Sequence, residues 1–134
     1  MIKGISFDFW DTLFKDDSDE EKRQTLGLRS KSDERFHLLD RYITCDSSSL
    51  KDAINSEKEW FEKEWKGFHK TPTVKERIGK ICDGLKIRPK EESFLKLVSG
   101  LENMEVKVQP DPFEDCLQTL KELSRKYKLA ITSD

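Results

Sequence analysis

Phe7-Asp8-Phe9-Trp10-Asp11-Thr12-Leu13-Phe14 breaks an apolar run with two carboxylates and a hydroxyl. Just upstream, Ile2 and Ile5 join Phe7, Phe9 and Trp10 in a short segment with little polar content. Such a run reads as a parallel-sheet strand covered on both faces. Its counterpart stands at the far end of the sequence, where Lys128-Leu129-Ala130-Ile131-Thr132-Ser133-Asp134 is a second apolar run closed by hydroxyls and a carboxylate. Ahead of that run, Phe113, Cys116, Leu117, Leu120, Leu123 and Tyr127 make one helical stripe. Asp111-Pro112 reads as its cap, followed by proline at the first helical position. Strand, helix, strand is the order that joins parallel strands. In open parallel sheets, ligands bind beyond the carboxyl ends of the strands. Asp8 and Ser133 occupy those ends, and neighbouring strands lie about 5 Å apart, so both side chains can meet one substrate. A carboxylate delivered there by an apolar strand suggests a nucleophile or a metal ligand. A cap for the following turn accounts for Asp8 equally well.

The middle of the chain has a helical period. Residues 15–24 are almost wholly charged or polar and read as a solvated loop, or as a helix start with Ser18 and Glu21 forming a capping box. Ser32 can cap a helix that carries Phe36, Leu39 and Ile43. From about Ser49, Leu50, Ala53, Ile54, Trp60, Phe61, Trp65 and Phe68 recur at helical spacing, with charged residues on the other face. Thr71-Pro72 opens the next helix, which buries Val74, Ile78, Ile81 and Leu85 and has Gly84 where a stop is expected. After Pro89, a helix from about Lys90 buries Phe94, Leu97, Val98 and Leu101. The expected architecture is therefore α/β: segments 1–15 and 107–134 form a partial doubly wound parallel core, and an all-helical block, 16–106, is inserted between them.

Composition narrows the function classes. Among 134 residues, 39% are charged, against a typical quarter, and 34% are apolar. Yet 25 basic residues against 27 acidic ones leave a net charge of only -2, and 8 Phe and 3 Trp supply a modest core. Charge-driven disorder requires a large net charge and few aromatics, and neither holds here. The balanced charge, with a pI near 5.8, argues against nucleic-acid and anionic-membrane partners. No run approaches the ~20 apolar residues that span a bilayer, and the first residues carry no small-residue cleavage site. Cys45, Cys82 and Cys116 have neither metal spacing nor a disulfide pattern, which suggests a reducing, cytoplasmic setting.

The segment Phe7–Phe14 resembles the first motif of the haloacid dehalogenase (HAD) superfamily. Lys128–Asp134 resembles its second motif, an apolar strand ending in Ser or Thr. The helical block resembles the cap inserted after the first strand, and Gln109-Pro110-Asp111-Pro112-Phe113-Glu114-Asp115 resembles the re-entry into the core. The resemblance covers the chain as the amino-terminal part of such a hydrolase with a helical cap. It implies that Asp8 is the nucleophile, that Ser133 binds the anionic group of a small-molecule substrate, and that Thr12 orients the loop. It further implies Mg²⁺ in the phosphatase branches, held by the Asp8 carboxylate and the main-chain oxygen of Trp10, where it shields the carboxylate from the phosphate.

Two departures bear on the chemistry. Phosphatases of this superfamily carry an acid two residues after the nucleophile, and here that position is Trp10. Lack of a general acid slows departure of an alkoxide by about 10²- to 10⁴-fold. The dehalogenase branch has an aromatic residue there, because a halide leaves without a proton, so Trp10 also counts as a substrate-binding candidate. Asp11 replaces a commoner glycine and reads best as a turn residue. The family's basic third motif and acidic fourth motif are expected after the second strand, so the 134 residues alone are expected to be inactive. Their two-stranded sheet is expected to pair with a missing carboxyl-terminal half or with another copy of the chain. The reading is a phosphatase on a small phosphorylated metabolite. The alternatives are a metal-independent 2-haloacid-type dehalogenase and a non-catalytic fragment that only binds. Other candidates are weaker. His37 and His69 read as helix-surface residues, Cys116 as an inert buried thiol, and Trp60, Phe61, Trp65 and Phe68 as core of the helical block rather than as pocket lining.

Overall fold

In the computed structural model, which describes residues 2–132, the first apolar run forms β1 (Gly4–Asp8) and the last forms β2 (Lys128–Thr132). Among the described residues, six helices lie between them. These are α1 (Ser18–Thr25), α2 (Lys31–Tyr42), α3 (Ser47–Phe68), α4 (Val74–Leu85), α5 (Glu91–Lys107) and α6 (Cys116–Ser124). The chain is thus mostly helical with one small parallel sheet. It divides into two compact units, one made of Met1–Ser30 with Val108–Asp134, the other of Lys31–Lys107.

In the first unit, β1 and β2 pair in parallel, from Gly4 opposite Lys128 to Asp8 opposite Thr132. α6 packs against β2. Ile5, Phe7 and Leu129 share one sheet face by alternation and are half-buried. Gly4, Ser6, Asp8, Ala130 and Thr132 share the other face and are exposed. Ser6 Oγ and Thr132 Oγ1, 2.8 Å apart, tie the strands together on that face. Burial on both faces, expected from the apolar runs, is not found: Ile2 is 70% and Ile131 60% exposed. An apolar run specifies a strand, but burial needs a covering layer on each side. The buried apolar side chains of this unit are Leu13, Val108 and Cys116.

Three local expectations for this unit are corrected. Residues 15–24 are not a solvated loop, because α1 forms there and buries Asp19 and Arg23; the Arg23 Nε donates to the Arg29 carbonyl at 2.8 Å. Nor is there a Ser18–Glu21 capping box. The Ser18 hydroxyl donates to the Lys15 carbonyl and accepts the Asp111 N–H, so it is engaged elsewhere. Asp111-Pro112 caps no helix, since α6 begins only at Cys116. Asp111 is held instead by Ser18 and Lys22, and Pro112 bridges to Phe14. Leu117 leaves the stripe and is 64% exposed.

In the second unit, α3 packs on α4, and α5 on both α2 and α4. Leu39, Ile43, Leu50, Ile78, Ile81 and Leu97 are fully buried, each stabilising by roughly 1.5–3 kcal/mol relative to exposure. These are the residues that the helical stripes predict. The starts of three helices differ from expectation: α2 begins at Lys31, so Ser32 lies inside it rather than capping it. α3 begins at Ser47 rather than at about Ser49, and Asp46 caps it by accepting the Ser49 N–H at 2.9 Å. Thr73 caps α4 in a reciprocal box with Glu76, which leaves Pro72 one residue before the cap rather than in the first turn. Gly84 lies inside α4, and the helix is closed by Lys86 in the left-handed region (φ 56). A Cβ at Gly84 would meet the Ala53 Cβ at 4.0 Å, an ordinary contact, so the packing of α3 on α4 does not require glycine there.

The caps give a pH prediction. Hydrogen bonds from the Ser49 side chain and backbone lower the Asp46 pKa, and those from the Thr73 backbone and side chain lower the Glu76 pKa. A carboxylate with a depressed folded pKa stabilises the fold fully above its unfolded pKa, and the contribution disappears as pH falls through the folded value. Acid titration of helicity is therefore expected to show a loss that begins within the ordinary carboxylate range and is completed below it. Asp46→Asn with Glu76→Gln should flatten that part of the curve, and an unchanged acid midpoint in the double variant would refute the assignment.

Candidate functional site

Asp8 closes β1, opposite Thr132, and its side chain is exposed. Among the described residues no side chain or backbone group hydrogen-bonds its carboxylate, so that group is open to a ligand. Ser133, the expected anion-binding residue, lies outside the described residues. The hydroxyl seen at the end of β2 is that of Thr132, which also approaches the Phe7 carbonyl at 3.4 Å. Sequence reading passed over Thr132, although it stands in the same run one residue earlier.

A tight turn follows Asp8. The Phe9 carbonyl accepts N–H bonds from Leu13 (2.9 Å) and Phe14 (3.1 Å), and the Asp11 N–H donates to the Phe14 carbonyl at 2.8 Å. The turn requires the left-handed region at Asp11 (φ 52), where Asp is tolerated better than most residues. Its Oδ1 accepts the Asp16 N–H at 3.1 Å. Asp11 is thus a turn residue with its carboxylate engaged, as its replacement of glycine suggests. Phe9 stacks on Phe14 at 4.9 Å and meets Trp10 edge-on at 4.8 Å. Trp10 remains 42% exposed, Thr12 is exposed in the turn, and the Trp10 carbonyl takes no part in the turn's backbone bonds.

The re-entry segment clamps this turn. The Phe113 N–H donates to the Leu13 carbonyl at 3.1 Å, and the Lys15 N–H to the Asp111 carbonyl at 2.8 Å. Lys22 Nζ donates to the Gln109 carbonyl at 2.8 Å and pairs with the Asp111 carboxylate at 2.6 Å. These contacts join residues some ninety positions apart, which no local pattern announces. The exposed Asp8 carboxylate and the Trp10 carbonyl are hard oxygen ligands of the kind that suit a cation, while the Thr132 hydroxyl is engaged with Ser6. No group of three or more His, Cys, Asp and Glu side chains suited to a metal occurs among the described residues.

The remaining candidates separate cleanly. His37 and His69 are exposed, and His69 closes α3 in the left-handed region. Burial, then the neighbouring Asp46 and Asp40, raises the Cys45 pKa, while burial and Asp83 raise that of Cys82. Both thiols are therefore held in their unreactive protonated form. Trp65 (38% exposed) and Phe68 (58% exposed) are not core, whereas Trp60 and Phe61 are half-buried under Lys80 and Arg77. Sequence reading missed Glu57, which is fully buried and bound to Arg35 (2.6 Å) and Arg77 (2.5 Å). The signal was present, since Glu57 falls on the Leu50–Ala53–Ile54 stripe, where a charge is out of place.

No helix among the described residues is long and apolar enough to cross a membrane. Comparison with known proteins finds no matching family model and no matching curated protein.

Proposed function

We propose that this chain is the amino-terminal part of a HAD-superfamily hydrolase of the cytoplasm, a phosphatase acting on a small phosphorylated metabolite. The observation that carries the reading is the exposed Asp8 carboxylate, without a partner among the described residues, at the carboxyl end of a strand in a parallel pair. An Asp8 oxygen attacks phosphorus, the P–O bond to the leaving group breaks, and an aspartyl phosphate forms. Water then cleaves the acyl phosphate, releasing inorganic phosphate and restoring Asp8. Ser133 would hold the transferred anion, and Thr12 would orient the turn. The Asp8 carboxylate and the unused Trp10 carbonyl are hard oxygen donors that suit Mg²⁺, which would neutralise charge on the phosphate. On this reading the helical unit is the cap, and the open sheet is where further strands of the fold, or a second copy, would pair.

Trp10 favours a second reading, a 2-haloacid-type dehalogenase working without metal, because an aromatic residue stands where an alkoxide's acid is needed. The two readings part on the leaving group. With Trp10 in place and Asp11 committed to the turn, the protein made from its whole reading frame should turn over aryl and acyl phosphates about 10²- to 10⁴-fold faster than alkyl phosphates. Trp10→Asp should raise the alkyl rate selectively. Equal aryl and alkyl rates in the parent would count against the phosphatase argument. Halide release from 2-chloropropionate without Mg²⁺ would transfer the assignment to the dehalogenase.

A further inference from the structure

We propose that the amino-terminal end of the small sheet is a docking surface for an anionic phospholipid membrane. It lies within the first unit and is independent of the Asp8 reading, since β1 carries Asp8 at its other end, roughly 13 Å away. Ile2, Lys3, Arg125, Lys126, Tyr127 and Lys128 line one open hollow there. α6 ends at Ser124 and β2 begins at Lys128, so Arg125, Lys126 and Lys128 crowd the link from helix to strand. Backbone bonds fix that link. The Lys126 and Tyr127 N–H groups donate to the Leu123 carbonyl at 3.0 and 2.9 Å, and the Lys128 N–H donates to the Lys3 carbonyl at 3.1 Å, which brings Lys3 alongside.

The charge of this surface is uncompensated. None of the residues lining the hollow is acidic. Lys3, Arg125, Lys126 and Lys128 are exposed, and none of them has an ion pair or a side-chain hydrogen bond among the described residues. The nearest acid along α6, Glu122, accepts from the Gln118 amide, one turn back towards the helix start. The last carbonyls of α6 offset only about half a charge of the four. Balanced composition argues against an anionic partner for the chain on average, but the charge is not evenly spread, since Asp8, Asp11 and Asp16 follow one another at the other end of β1. Two features select the partner. Exposed lysines on flexible stems offer no fixed geometry for a small ligand, whereas a fluid headgroup layer asks for none. Ile2, 70% exposed beside the cations, gives nothing to a soluble polyanion but matches the apolar layer beneath the headgroups. Four Lys and Arg residues are the lower limit for such a surface, so binding is weak, reversible and steeply salt-dependent.

The test is co-sedimentation of the protein with vesicles of phosphatidylcholine, alone or mixed with phosphatidylserine at about 7:3, and binding of an oligothymidylate as the soluble polyanion. Binding is expected to the anionic vesicles and not to phosphatidylcholine alone, and it should fall about tenfold or more between roughly 50 and 200 mM salt. Lys126→Gln with Lys128→Gln should weaken it about 25-fold, at about fivefold for each charge lost near the surface. Both positions are exposed and without side-chain partners among the described residues, so the fold is retained. Lys63→Gln with Lys75→Gln removes the same charge from exposed positions of the helical unit and should leave binding within about twofold. Ile2→Ser should weaken vesicle binding about fivefold with its salt dependence unchanged. No binding to the anionic vesicles at the lower salt, or equal losses from the two lysine pairs, overturns the docking surface. Tighter binding of the oligothymidylate than of the vesicles, with no effect of Ile2→Ser, overturns the lipid assignment in favour of a nucleic acid.

Discussion

If Asp8 is the proposed nucleophile, Asp8→Asn is expected to abolish turnover, lowering kcat by about 10⁴-fold or more, while substrate still binds. The size follows from the role, because a covalent nucleophile has no substitute and its removal leaves only what positioning and charge stabilisation supply. The fold is expected to survive. The Asp8 side chain is exposed and bonded to nothing among the described residues, and substitutions at such positions usually change stability by about 0.5 kcal/mol or less. The amide is isosteric and keeps the hydrogen-bonding reach of the carboxylate while being far less nucleophilic. The measurement is kcat and KM on an aryl phosphate for parent and variant, with circular dichroism as a control for folding. A variant that is folded and keeps a tenth of the parental kcat would remove Asp8 from the covalent step. Loss of activity together with helicity would instead show that Asp8 is structural.

The sequence was most legible where one physical cause acts alone. Short apolar runs marked β1 and β2, and the helical link between Cys116 and Ser124 was enough to make them parallel neighbours. The stripes through Leu39, Ile78 and Leu97 named the helical core because burial of such residues outweighs every local preference. Legibility ended where partners are distant. Asp111-Pro112 has the local form of a helix start, yet the Asp111 N–H goes to Ser18, 93 positions away. Trp65 and Phe68 keep the period of α3 but not its burial. Arg77, in the first turn of α4, packs on Phe61 at 4.2 Å, so α3 runs on beyond the start of α4, beside the non-helical residues 69–73. Periodicity records which face a residue is on; it does not record where the neighbouring helix begins. At the candidate site, the position of Asp8 and the turn at Asp11 were readable from breakers in an apolar run. The clamp by Lys22, Asp111 and Phe113 was not, since it depends on tertiary contacts.

Glu57→Gln is expected to destabilise the helical unit by about 3 kcal/mol, the lower end of the range for removing one partner of a buried ion pair. Glu57 on α3 is fully buried, and its two oxygens bind Arg35 from α2 and Arg77 from α4, so one carboxylate joins three helices. Burial and the nearby Arg77 already lower the Arg35 pKa, against the opposing pull of Glu57 and Glu105. Removing the Glu57 charge leaves two guanidinium groups repelling each other with little solvent access, their side chains being only 20% and 26% exposed. Their partial exposure is the reason for the lower end of the range. In a unit of this size each kcal/mol moves Tm by roughly 4–8 °C, and total stability is only about 5–15 kcal/mol. The triad as a whole need not be stabilising, because burying three charges carries a large desolvation cost. Arg35→Met, Glu57→Leu and Arg77→Met together are therefore expected to leave stability near the parental value or above it. Urea denaturation followed by helical circular dichroism distinguishes the cases. If the single variant loses less than about 1 kcal/mol, the size of a typical exposed pair, Glu57 does not hold the helices together. If the triple variant falls as far as the single one, the triad contributes net stability and the desolvation argument fails.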